Sequence, residues 1–119
     1  MPPRRSLYAV LWEFWVRNGQ EKHFEKIYGP QGTWARFFGQ GRGYRGTMLH
    51  RDVVKKDRYV TLDYWDSQTA YETFREQHRA EYKAIDRQCA ALTIRETPLG
   101  SFLSVNPPRA RRRARGGRE

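Results

Sequence analysis

The 119-residue sequence predicts an α+β domain in which two helical regions cover one face of a four-stranded antiparallel sheet. Three observations lead there. Residues 7–16, LYAVLWEFWV, are rich in β-branched and aromatic residues and too short for a stable isolated helix, so they read as a strand. Apolar side chains at helical spacing occur in two later stretches, and strand-like segments flank both. The resulting order is strand, broken helix, strand, strand, helix, strand, the split βαβ pattern of a ferredoxin-like domain.

The first strand places Tyr8, Val10, Trp12, Phe14 and Val16 on one face and Leu7, Ala9, Leu11, Glu13 and Trp15 on the other. Asn18, followed three residues later by Glu21, has the form of a helix start, with Asn18 as the cap. Phe24, Ile27 and Tyr28 form one helical stripe. Gly29-Pro30 interrupts it, and Trp34, Phe37 and Phe38 form a second stripe before the glycines from Gly39 to Gly43. Residues 44–51 and 58–65 read as a hairpin around the charged loop 52–57. Ser67 is a natural cap for a helix whose seam runs Tyr71, Phe74, His78, Tyr82, Ile85 and Cys89, all facing the sheet. Residues 91–97 close the sheet, with Pro98 and Gly100 as a bulge and Phe102-Leu103 as an apolar extension.

One cysteine, Cys89, leaves no intrachain disulfide and no thiolate set for a metal, which points to a reducing cytoplasmic compartment. Arg4 and Arg5 ahead of residues 7–12 faintly resemble an export signal, but Glu13 and Arg17 interrupt the apolar run and no small-residue cleavage site follows. No stretch approaches the length of a membrane span. The formal net charge of +10 suggests a nucleic acid or acidic partner. Half of it, however, lies in the tail NPPRARRRARGGRE, which cannot build a core. The chain therefore divides into an extension (1–6), a ferredoxin-like domain (7–105) and an arginine-rich appendage (106–119). The appendage is either a solubilising tail or a contact for phosphate or acidic surfaces.

Two helices cover only one face of such a sheet, yet the first strand is apolar on both. A second copy packed sheet to sheet, as a two-fold homodimer, is the simplest cover.

The segments LWEFWV, HFEKIYG, GTWARFF, GYRGT, DYWDS and FREQHRAEY, spanning residues 7–103, together resemble the antibiotic biosynthesis monooxygenase-like proteins of the dimeric α/β barrel superfamily. The resemblance implies a dimer with a pocket in each subunit between the helices and their own sheet. In the characterised oxygenases of that family a phenolic substrate loses a proton there and reduces dioxygen itself, without flavin or metal. The protein then supplies shape, a proton acceptor and stabilisation of the developing anion.

By the same resemblance, Trp65 matches the pocket tryptophan that ends the third strand. Asp63 shares its parity; buried, it would be a base, and paired with an arginine or backbone donor it would be structural. His78 is the one ring nitrogen on the seam and is suited to proton transfer near neutrality, or to a satisfied place in the core. His50, at the end of the second strand, is a candidate pocket or rim residue, and His23 belongs to the surface. Trp12, Trp34, Phe37, Phe38 and Tyr82 would wall a small flat aromatic molecule or simply fill the core.

Gly41, Gly43 and Gly46 satisfy G-x-G-x-x-G, but the motif enters a strand after a helix, the reverse of the dinucleotide-binding context. Arg42 and Arg45 beside it could attract an anionic substrate. Haem-degrading relatives of this fold place asparagine and histidine where this chain has Trp12 and Arg75, which argues against haem. The competing functional reading is a non-catalytic dimeric binding module whose core is closed by the same aromatic residues.

Overall fold

β1 (Tyr8–Val16) is hydrogen-bonded on both edges, to β3 (Arg58–Trp65) and to β4 (Thr93–Leu103), and β2 (Tyr44–Arg51) completes the sheet beyond β3. All pairs are antiparallel and the order is β2-β3-β1-β4, the ferredoxin-like topology expected from the element order. The structure is a computed structural model that describes residues 6–105. The arginine-rich segment 106–119, with the partner role considered for it, and most of the 1–6 extension lie outside the described residues.

Strand alternation decides which side chains meet the helices. Tyr8, Val10, Phe14 and Val16 are buried beneath them and Trp12 is half-buried; Leu11, Glu13 and Trp15 occupy the opposite face. On β3 the covered face carries Tyr59, Thr61, Asp63 and Trp65, all buried. The opposite face has no helix on it. There Leu11, Val60, Leu62 and Tyr64 are half-buried, and Met48 and Phe102 are 48% and 51% exposed.

The first helical region is interrupted as expected, into α1 (Glu21–Tyr28) and α2 (Thr33–Phe38). A side chain at Gly32 would bring its Cβ within 2.3 Å of the Ile27 carbonyl oxygen, so the link between the two helices passes too close to α1 for anything but glycine. Asn18 does not cap α1. Gly19 adopts φ 87°, Gln20 precedes the helix without a side-chain cap, and Glu21 instead accepts a 3.0 Å bond from the Gly19 N–H. The left-handed turn at Gly19 displaces Asn18 from capping position.

Ser67 caps α3 (Gln68–Gln77) as expected, its Oγ accepting from the Ala70 N–H at 3.0 Å. The helix does not continue unbroken to Cys89. His78, with φ −119° and ψ 30°, ends α3 and starts α4 (Arg79–Cys89). A 3-10 turn (Ala90–Leu92) leads into β4, whose register against β1 shifts between Leu11↔Gly100 and Trp12↔Pro98, the expected bulge. In the β2–β3 hairpin Asp52 accepts from the Val54 and Lys55 N–H groups, and Arg58 joins Asp52 to Glu13. Among the described residues no helix is long and apolar enough to cross a membrane.

Phe24 is fully buried at the centre of an aromatic cluster, stacked on Tyr28 at 4.1 Å and tilted against Phe14 and Tyr59 at 5.3 and 4.9 Å. Replacing Phe24 with Ala removes one side chain from all three contacts. We expect the substitution to lower unfolding free energy by about 3–5 kcal/mol, measured by urea titration, with Phe24→Leu losing clearly less.

Candidate functional site

Between the sheet and the helices lies a partly open cavity of about 70 Å³. Its floor is Val10, Trp12 and Phe14 of β1, with Thr61 and Asp63 of β3 on one side and Glu96 of β4 on the other. The helices contribute Tyr28, Trp34, Phe38, Tyr71, Tyr82 and Asp86. Seven aromatic side chains thus surround a few oxygen atoms, and among the described residues no Lys, Arg or His side chain is in the wall.

Asp63 is the most deeply buried carboxyl in this wall, 9% exposed. Its Oδ1 accepts from the Thr47 hydroxyl at 2.5 Å, and Thr47 Oγ1 lies 2.5 Å from the Tyr44 hydroxyl. Among the described residues no cation pairs with Asp63. Burial pushes its pKa up to about 6, the Thr47 bond opposing the rise only in part. Asp63 therefore changes charge close to neutrality.

At the helical side, Arg75 donates from Nη1 to the Tyr71 hydroxyl at 2.7 Å, and its guanidinium carbon lies 4.0 Å from the Tyr82 ring centroid. This half-buried cation lies behind the wall and orients two of its rings. Burial raises the phenol of Tyr71 and pushes that of Tyr82 up to about 12, Arg75 opposing both shifts. At the other end Glu96 accepts from the Thr93 hydroxyl at 2.9 Å, and burial raises its pKa, Asp86 adding to the rise. The Trp34 indole N–H lies beside the Tyr28 hydroxyl and the free, buried Cys89 thiol without completing a bond to either.

Of the residues singled out in the sequence, Asp63, Trp12, Trp34, Phe38 and Tyr82 meet at this cavity. Trp65 does not line it: fully buried, it is enclosed by Phe38, Tyr44, Tyr71 and Phe74, and its Nε1 has no hydrogen-bond partner. Phe37 is likewise core, packed on Phe74 at 4.9 Å. His78 lies outside the wall, as does Phe74 one turn before it. Its ring stacks on Phe74 at 4.2 Å, with Nδ1 3.1 Å from the Phe74 carbonyl. His50 is exposed and pairs with Val60 on the sheet face away from the cavity, because the inward residues of β2 are Thr47 and Leu49. Arg45 is held by both oxygens of Asp66, at 2.5 and 3.1 Å, and is not in the cavity wall.

The wall also contains residues that the sequence reading gives no role at the site or treats only as packing: Tyr28, Thr61, Tyr71, Asp86 and Glu96. Thr61 was within reach of strand parity, two residues before Asp63, and Asp86 of helical spacing, four after Tyr82. Glu96 depends on the register of a bulged strand.

The family model of the antibiotic biosynthesis monooxygenases matches residues 7–87, and the chain belongs to that family. Its fold is also that of three solved structures. A Bordetella bronchiseptica protein classed with these monooxygenases matches at TM-score 0.63 and 18% identity over 87% of this chain and 100% of its own. A Nitrosomonas europaea protein of the same description matches at TM-score 0.65 and 11% identity, covering 90% and 98%. SnoaB, a cofactor-independent oxygenase from Streptomyces nogalater, matches at TM-score 0.62 and 19% identity, covering 90% and 98%. No curated protein matches the chain.

The raised pKa of Asp63 has a defined sign for stability. The folded state holds the proton up to about pH 6, whereas the unfolded chain releases it near the ordinary carboxyl value. Stability is therefore lost as pH rises between those values, by roughly 3 kcal/mol in total. Asp63→Asn removes this contribution. Denaturant unfolding at pH 4 and pH 8 should show the variant gaining on the parent protein as pH rises; an equal difference at both values would contradict the assignment.

Proposed function

We propose that the chain is a cofactor-independent oxygenase for a small phenolic or quinol-type molecule, with Asp63 as the base. The observation that carries this reading is the carboxyl of Asp63, the most deeply buried of the wall, held by the Thr47 hydroxyl among aromatic rings and titrating near neutrality. Asp63 takes the phenolic proton. The electron-rich phenolate then supplies electrons to dioxygen; one oxygen atom replaces a ring hydrogen and becomes a carbonyl, and the other leaves as water with that hydrogen and one proton, equivalent to the one given to Asp63, so that phenol and O₂ give quinone and H₂O. Trp12, Trp34, Phe38 and Tyr82 flank the ring, while Trp65 and His78 support the wall from behind.

The cavity volume favours a second reading. At about 70 Å³ it is roughly half the 150 Å³ of an engineered cavity that accepts benzene, so a ring must enter through the open side with movement of the wall. A non-catalytic binding module would keep the wall closed. Oxygen uptake with a panel of phenols and quinols separates the two. The oxygenase reading predicts uptake that falls about 10²- to 10⁴-fold in Asp63→Asn and much less in His78→Ala or Trp65→Phe. Uptake indifferent to Asp63→Asn removes the base, and ligand binding without uptake favours the module.

The uncovered sheet face, with Leu62 at its centre beside Met48 and Leu11, is proposed to bind a second copy of the chain. Sedimentation should then give a dimer for the parent protein and a monomer for Leu62→Glu. A monomeric parent at micromolar concentration would exclude this arrangement.

A further inference from the structure

A base that takes a proton in each turnover must lose it again before the next. The surroundings of Asp63 leave few exits. From the helices it faces Tyr71, Tyr82 and Asp86, with Arg75 behind the two tyrosines, and from β4 it faces Glu96; none of them hydrogen-bonds to it. Its one hydrogen bond leads away from the cavity, to Thr47 on the neighbouring strand. Thr47 is itself 7% exposed, and its other side-chain partner is the hydroxyl of Tyr44, a half-buried residue on the edge strand of the sheet.

That contact depends on a backbone irregularity. Tyr44 and Thr47 are three residues apart, which in a regular strand would put them on opposite faces. The pairing of β2 with β3 shifts register between Tyr44↔Trp65 and Gly46↔Tyr64, and Gly46 adopts φ 117°. This bulge adds one residue on β2 and turns Tyr44 onto the covered face, where its ring packs on Trp65 at 5.3 Å and its hydroxyl meets Thr47. A threonine that only steadied the carboxylate would need no tyrosine behind it.

We propose that Thr47 and Tyr44 are the proton-exchange route of Asp63, a two-hydroxyl relay from the cavity to the edge of the sheet. The relay deepens the reading of Asp63 as the base and rests on that reading for its use in turnover. At rest Tyr44 donates to Thr47 and Thr47 donates to the carboxylate. When Asp63 carries the substrate's proton, that proton passes to Thr47 Oγ1, the Thr47 proton passes to Tyr44 Oη, and the Tyr44 proton passes to water. Three O–H bonds break and three form, both hydroxyls end neutral, and rotation about their C–O bonds restores the starting direction.

The test needs no substrate. The carboxyl carbon of Asp63, labelled with ¹³C and assigned by its loss in Asp63→Asn, is followed by NMR through pH 6 in the parent protein, Tyr44→Phe, Thr47→Val and Thr47→Ser. The parent and Thr47→Ser should show one line moving with pH. In Tyr44→Phe and Thr47→Val proton exchange should slow by about 10²-fold, splitting the signal into two lines at the midpoint. Tyr44→Phe is the more diagnostic, because it keeps both the Thr47 bond to Asp63 and the ring against Trp65; if Thr47→Val fails to fold, Tyr44→Phe decides alone. Exchange as fast in Tyr44→Phe as in the parent overturns the relay. The two proposals fail separately: slowed exchange with oxygen uptake indifferent to Asp63→Asn leaves the relay and removes the base, whereas the reverse pattern leaves the base and removes the relay.

Discussion

A carboxyl buried among aromatic rings, with a single hydroxyl to stabilise its charge, is the constraint around which the covered face is arranged. Strand alternation places Tyr59, Thr61, Asp63 and Trp65 on the same side of β3, and three of them suit an interior. Asp63 does not. Its ionised form lacks a cation and has one donor, so the fold holds its proton to higher pH than an exposed aspartate would. A group this costly at neutral pH persists in a small domain only where the rest of the core compensates for it. The compensation here is aromatic: Phe14, Phe24, Tyr28 and Tyr59 are joined through Trp34 to Phe37, Phe38, Trp65 and Phe74 in one continuous cluster.

The polar groups around the cavity are sorted by sign. Inside the wall are carboxyls and hydroxyls, while Arg75 stays behind Tyr71 and Tyr82. The phenol proposed as substrate would meet the aromatic faces with its flat ring and the carboxylates with its O–H group. Arg75 serves that surface indirectly. It fixes the hydroxyl of one tyrosine and the ring face of another, and it opposes the rise that burial imposes on both phenols.

Features of the sequence that follow a regular period, or that glycine and proline interrupt openly, are reproduced in the structure. The two faces of β1, the parity of Asp63 with Trp65, the break between α1 and α2 and the cap at Ser67 all follow from local chemistry. His78 lies on the seam, stacked on Phe74, but that part of the seam packs in the core and not at the cavity. Trp65 and Phe37 show a different limit, since parity says that a ring points inward but not whether space remains beside it. Tyr44 shows the opposite limit, since regular alternation from Thr47 would put its side chain on the uncovered face. Only the register shift before Gly46 brings it to Thr47.

The register of β2 on β3 therefore links the two faces of the sheet. Thr47 opposite Asp63 belongs to the covered face, and the next pair, Met48 opposite Leu62, belongs to the uncovered one. A slip of one residue would exchange these pairs, taking the hydroxyl away from the buried carboxyl and moving Met48 out of the apolar patch at the same time. β2 is an edge strand with a bulge near its start, so pairing with β3 alone must hold that register. Burying Met48 and Leu62 under a second copy would penalise any slip and so reinforce the contact of Thr47 with Asp63 on the far side of the same strands. Association on one face and proton chemistry on the other would then rely on the same strand pairing.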